Sequence, residues 1–168
     1  EPVLFNISGA CYAGLGQFDL ALKYYEKAIA IKPDYAKAHF NLAGTLEDLG
    51  QLEDSVNSYK KALEIEPDYA EAFNNLGNVF KELKQNDAAV QSYKDALIIK
   101  PEYVEAQYSL GITLQDLGKL EAAIECYEAV LSIMPNFADA YNNLGTSFLD
   151  LGQFNEAVSS FKSLLKIK

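Results

Sequence analysis

The chain has 168 residues, of which 23% are charged, and its 14 cationic and 24 acidic side chains give a formal net charge of −10. Every cation is a lysine, and the net charge has the wrong sign for neutralising phosphates, which argues against binding to nucleic acids or anionic membranes. The hydrophobic content of 49% is that of a folded protein, and no apolar run reaches the ~20 residues that span a bilayer.

Prolines recur along the chain at a fixed spacing. Pro33, Pro67, Pro101 and Pro135 follow one another at intervals of 34 residues, and such a period is typical of repeat proteins. We therefore predict a single domain built from four full repeats and a shorter fifth one, with bounds 2–35, 36–69, 70–103, 104–137 and 138–168.

Each repeat predicts two helices joined by a turn. Apolar residues recur with helical spacing in two segments of about thirteen residues, such as 70–82 and 87–99 in the third repeat. Small residues at the eighth position and aromatic residues at the twenty-fourth predict close packing of the two helices. Glycine follows the first helix in four repeats, and Lys84 takes that place in the third, where we expect a positive φ.

These residues resemble the tetratricopeptide repeat, whose 34-residue pattern is matched by all five repeats in unbroken register. The pattern's Trp at the fourth position is replaced by Phe5, His39, Phe73, Gln107 and Tyr141. The resemblance implies an all-α fold, a right-handed α-α superhelix of about ten helices whose first helices line a concave groove. Segments 67–80 and 135–148 are most similar to the repeats of O-GlcNAc transferases and of bacterial multi-domain proteins built similarly.

In this family, the concave face is built from positions two, five, six, nine, twelve and thirteen of the first helices, and here the fifth and sixth positions are rich in asparagine. A carboxamide can donate and accept hydrogen bonds at once, which suits an extended peptide. An alternative is that these side chains only tie one repeat to the next. The resemblance implies peptide-binding residues with two aromatic anchors, namely Phe40, Asn41, Asn74, Asn75, Asn78, Tyr108, Asn142 and Asn143.

Four acids at the thirteenth position form a predicted acidic rim along the groove: Asp48, Glu82, Asp116 and Asp150. A rim of this charge favours a basic partner segment, whereas the simpler interpretation is a solvated acidic face of an acidic protein.

Catalytic chemistry finds little support in the sequence. His39 is the only histidine, and Cys11 and Cys126 lie in different repeats, so neither a metal site nor a nucleophilic triad can be assembled. We expect no catalytic residue, no metal and no cofactor. With only two cysteines, the chain fits a reducing cytoplasm.

The first and last helices carry apolar residues where a complete solenoid would present a polar face, as at Val3, Leu4 and Ile7. We therefore expect a segment of a longer protein, and self-association through these terminal repeats. The sequence predicts a non-enzymatic scaffold that binds an extended peptide or a partner helix in its groove. One alternative is the substrate-selecting arm of a larger enzyme such as a glycosyltransferase, and another is a purely structural role in assembly.

Overall fold

The computed structural model describes residues 1–167, and it has ten α-helices and no strand over that range. The helices are α1 (Pro2–Gly14), α2 (Phe18–Ile31), α3 (Ala36–Asp48), α4 (Leu52–Ile65), α5 (Ala70–Glu82), α6 (Asn86–Ile99), α7 (Val104–Asp116), α8 (Leu120–Ile133), α9 (Ala138–Asp150) and α10 (Phe154–Leu164). Two helices fall within each predicted repeat. The predicted all-α fold of helix-turn-helix repeats is therefore confirmed.

The helices gather into two compact units, Glu1–Gln85 with α1–α5 and the chain from Asn86 onward with α6–α10. In the first unit, α3 packs against α1, α2, α4 and α5. In the second, α7 packs against α6, α8 and α9, and α9 also packs against α8 and α10. The single domain predicted for all five repeats stays a prediction.

The turn after each first helix has the same geometry in every repeat. Gly16, Gly50, Gly118 and Gly152 have φ between 71° and 73°, and Lys84 has φ 61°, as predicted. After α3, the Gly50 N–H donates to Glu47 O and the Gln51 N–H donates to Leu46 O, both at 2.8 Å. This pair of bonds is a Schellman motif, which satisfies carbonyls that the helix leaves free.

The core is built from aromatic rings packed on small residues. Tyr59 and Tyr127, at the twenty-fourth position of their repeats, are completely buried. A methyl group added at Gly9, Gly111 or Gly145 would lie only 2.6–2.7 Å from the ring of Tyr25, Tyr127 or Phe161. The eighth position must therefore be small, which confirms the close packing predicted from the sequence.

No helix within residues 1–167 combines the length and apolar character needed to cross a lipid bilayer.

Candidate functional site

A groove runs along the first unit where α1, α3 and α5 lie side by side. It has a volume of about 390 Å³, and small residues form part of its wall: Ala10 and Ala13 on α1, and Gly44 on α3. Residues on α3 reach it at positions 40, 44, 47 and 48, a spacing that keeps them on one face of a helix. This face is the one that the sequence predicts for binding.

Gly44 keeps the groove open at its centre. A methyl group added there would meet only the Tyr59 hydroxyl oxygen, at an ordinary distance of 3.6 Å. The space above Gly44 is thus available to a ligand, and a larger side chain could occupy it without a clash at its first carbon.

A chain of hydrogen bonds crosses the floor of the groove. The Tyr59 hydroxyl donates to Glu47 Oε2 at 3.1 Å, and Asn75 Nδ2 donates to the Tyr59 oxygen at 3.3 Å. Asn74 Nδ2 in turn donates to Asn75 Oδ1 at 3.2 Å, while Asn74 Oδ1 is buried without a partner. Asn75 lines the groove, whereas Asn74 is only 6% exposed and supports Asn75 from behind.

Asparagine at the sixth position also joins neighbouring repeats. Asn41 Nδ2 donates to Asn6 Oδ1 at 2.9 Å in the first unit, and Asn143 Nδ2 donates to the Tyr108 hydroxyl at 3.0 Å in the second. Both bonds run from the sixth position of one repeat to the fifth position of the repeat before it. These bonds connect neighbouring repeats, which is the alternative role that the sequence left open. Each donating carboxamide still has a second N–H that these bonds do not use.

The groove is electrostatically negative. Burial raises the pKa of the Glu47 carboxyl, the hydrogen bond from Tyr59 lowers it, and the charges of Glu82 and Asp48 raise it further. Asp48 lines the groove itself, and none of the lining residues is a lysine or histidine. Two members of the predicted acidic rim therefore act on one half-buried carboxylate.

The remaining predicted binding residues divide between the two units. Phe40 lines the groove and stacks on Tyr69 with ring centroids 4.8 Å apart. Lys37 Nζ lies 4.7 Å from the centroid of the Phe40 ring. Asn78 lies on α5, half-buried, and is not one of the residues that line the groove.

In the second unit, Tyr108 packs edge-on against Phe137 with ring centroids 5.0 Å apart. Asn142 is exposed on α9, next to the half-buried Asn143. The rim acids Asp116 and Asp150 end α7 and α9, and both side chains are exposed.

Sequence reasoning missed Glu47, Gly44 and Tyr59 as groove residues. The signal was present, since Glu47 holds the twelfth position, which faces the groove in this family, and the Ala43-Gly44 pair shifts the repeat's glycine from the eighth position to the ninth. The predicted binding and rim residues came from the fifth, sixth and thirteenth positions, with Asn78 alone from the ninth.

The histidine and the cysteines have structural surroundings. His39 Nε2 lies 3.0 Å from the Pro33 carbonyl oxygen. Cys126 is buried, and burial raises the pKa of its thiol to about 11, while Cys11 is exposed. A thiol with so high a pKa is a poor nucleophile at neutral pH.

Models of one repeat family match nearly the whole chain. A model described as TPR repeat matches residues 9–50, 45–84, 77–118 and 114–152, and one described as Tetratricopeptide repeat matches residues 138–168. No curated protein sequence matches the chain significantly.

Solved structures resemble the chain over almost its full length. A crystal structure of MamA is 31% identical, with a TM-score of 0.90, and the match covers 94% of this chain and 92% of that one. A second crystal structure of MamA protein is 30% identical, with a TM-score of 0.92 and coverage of 98% and 90%.

YrrB, described as a TPR protein with an unusual peptide-binding site, is 21% identical, with a TM-score of 0.86 and coverage of 100% and 87%. At that identity, the likeness shows the fold alone. Taken with the family models and the two MamA structures, the repeat register places this chain in the tetratricopeptide repeat family.

Proposed function

We propose that the chain is an interaction scaffold whose groove in the Glu1–Gln85 unit binds an extended peptide segment of a partner protein. The observation that carries this proposal is the open groove of about 390 Å³ at α1, α3 and α5, a volume within the usual range of ligand sites. YrrB, which shares the fold and is described as having a peptide-binding site, supports a peptide-binding scaffold over the substrate-selecting arm of an enzyme.

An extended peptide suits the groove better than a helix does. An extended chain presents unpaired backbone N–H and C=O groups, whereas a helix satisfies most of its own. Asn41 and Asn75 line the groove, and each has hydrogen-bonding capacity beyond the bonds it makes within the protein. The other predicted contacts, Tyr108, Asn142 and Asn143, would form a separate surface in the second unit.

A peptide library tests the proposal. Random twelve-residue peptides displayed on phage are selected on the immobilised protein, and the selected peptides are then measured against Gly44→Leu. We expect at least about tenfold weaker binding, because the leucine extends into the groove from a first carbon that meets no close contact.

Ala30→Leu is the matched control, since Ala30 is exposed on α2 and does not line the groove. It adds a similar apolar side chain and should leave binding unchanged. Peptides that bind Gly44→Leu as tightly as the unmodified protein would place the binding site elsewhere and overturn the proposal. The Asn75→Ala variant is a poorer test, because it also removes the bond to Tyr59.

The proposed role is binding without catalysis, metal or cofactor, and the cytoplasmic location stays a prediction. The finer resemblance to O-GlcNAc transferase repeats also stays a prediction.

We further infer that copies of the chain associate through exposed apolar residues. Val3, Leu4 and Ile7 on α1 are 51–60% exposed, and Phe154 on α10 is 66% exposed. Light scattering at increasing concentration should show a rising mean mass, and Leu4→Lys with Ile7→Lys should lower it. A constant monomer mass at millimolar concentration would contradict this inference.

A further inference from the structure

We propose that the groove holds a lysine or arginine side chain of the bound peptide, with its cationic group at the Glu47 carboxylate. This inference rests on the proposed function and specifies the chemistry of the partner.

Glu47 has an unused acceptor at the groove. The side chain is half-buried and lines the cavity, and its Oε2 accepts the hydrogen bond from the Tyr59 hydroxyl. No ion pair of Glu47 is found among the residues that the structure describes. Its other oxygen is therefore available to a charged donor, which makes stronger bonds than a neutral one.

The two charges that act on the Glu47 carboxyl are both negative. Burial raises the pKa of the Glu47 carboxyl most, and the charges of Glu82 and Asp48 raise it further, so all three disfavour the ionised form. Lys37 is on the same helix, but ten residues away, which corresponds to about 15 Å along the axis. Tyr59, which is neutral, is the remaining titratable group in contact with Glu47. A cation on the ligand would thus be attracted to the Glu47 carboxylate, whose charge no residue lining the groove neutralises.

The shape of the groove suits the stem of a long basic side chain. Ala10, Ala13 and Gly44 leave room above the carboxylate, and the rings of Tyr25 and Phe40 add apolar surface. Lysine and arginine bury their methylene stems along such surfaces while the charged group reaches a polar partner. An acidic or short polar side chain would lack one of these two interactions.

The second unit supplies a natural comparison for the test. Gln115 holds the position equivalent to Glu47, and its Oε1 accepts the Tyr127 hydroxyl at 2.7 Å, just as Glu47 accepts Tyr59. Glu47→Gln therefore removes the charge and keeps the acceptor that Tyr59 needs. A loss of binding in this variant would report the charge and not a disturbed tyrosine.

The experiment titrates the ¹⁵N-labelled protein with four capped peptides, Ser-Gly-Leu-Xaa-Leu-Gly-Ser, in which Xaa is Lys, Arg, Gln or Glu. Amide shifts of Gly44 and Asn75 report occupancy of the groove. We expect the Lys and Arg peptides to bind at least about fivefold more tightly than the Gln peptide, and the Glu peptide to bind most weakly. Glu47→Gln should abolish the preference and leave the affinity of the Gln peptide unchanged.

Glu121→Gln is the control for net charge, because Glu121 is exposed on α8 and the substitution changes the total charge by the same amount. It should preserve the preference. Equal binding of the Lys and Gln peptides, or an equal loss of preference in Glu121→Gln, would overturn the assignment of Glu47. If all four peptides shift Gly44 and Asn75 alike, the proposed function stands and this inference fails. If none shifts them, both fail.

Discussion

The second and fourth repeats place the same tyrosine against different neighbours. Tyr59 and Tyr127 are both completely buried, and each hydroxyl donates to a side chain twelve residues before it, Glu47 or Gln115. In the fourth repeat, Gly111 at the eighth position admits the ring. The second repeat instead has alanine at the eighth position and its glycine, Gly44, at the ninth.

The shift of one residue changes what the groove can do. Gly44 lines the cavity of the first unit, while the half-buried Ile112 takes the same position in the second. The twelfth position changes from a carboxylate to a neutral carboxamide as well. The packing of the repeats thus depends on the eighth and twenty-fourth positions, while the ninth and twelfth are free to set the chemistry of the groove.

The largest expected effect on stability comes from placing alanine at the eighth position of the fourth repeat, as in the second repeat. In Gly111→Ala, the new methyl group would lie 2.7 Å from Tyr127 Cε1 and 3.1 Å from Cys126 Cβ, so we expect a loss of about 1–3 kcal/mol in stability. Gly44→Ala should instead gain about 0.5–1 kcal/mol, because it meets no close contact in its helix. Chemical denaturation followed by circular dichroism measures both.

A second substitution should recover part of the loss. Adding Ile112→Gly to Gly111→Ala recreates the Ala-Gly order of the second repeat and gives the Tyr127 ring room to move toward the ninth position. For the double variant to be more stable than Gly111→Ala, the free energy regained by relieving the clash must exceed the roughly 1 kcal/mol that a glycine costs inside a helix. If the double variant is less stable than Gly111→Ala, the two repeats do not differ by a simple exchange of these positions.

The sequence predicts the scaffold because its constraints are local. The 34-residue spacing, the glycine turns and the ring against a small residue each depend on a few neighbouring positions, and all three are found in the structure. Partners within the groove depend on side-chain rotamers instead. Asn75 donates to Tyr59, whereas the equivalent Asn143 donates to Tyr108, because the phenyl ring of Phe40 offers no hydroxyl at the place of Tyr108.

The third repeat tests the turn that the second and fourth share. Lys84 has φ 61° where Gly50 and Gly118 have φ 71°, and a side chain in this conformation costs about 1 kcal/mol. Lys84→Gly should raise the melting temperature by about 2–4 °C, measured by circular dichroism. Gly118→Lys is the reciprocal control and should lower it by a similar amount; an unchanged melting temperature in both variants would mean that the turn carries no strain.

The smallest expected effect is on the stability of the ligand-free protein. It comes from the charge of Glu47, which its counterpart Gln115 in the fourth repeat lacks. The folded protein raises the pKa of Glu47, chiefly by burial, so it binds a proton there more tightly than the unfolded chain does. The stability linked to that proton is fully present below the unfolded value of about 4.3 and is lost as pH rises through the folded pKa. Glu47→Gln should therefore raise the melting temperature at pH 7, by less than about 4 °C.

The same substitution should make little difference near pH 4, where Glu47 is largely protonated in the fold. Comparing the two proteins at each pH cancels the titration of all other carboxylates, and Glu121→Gln shows what removing an exposed charge does by itself. A Gln variant that is less stable than the unmodified protein at pH 7 would mean that the fold stabilises the carboxylate. In that case groups within the protein would already stabilise the Glu47 charge, and a cation on the ligand would gain little by binding there.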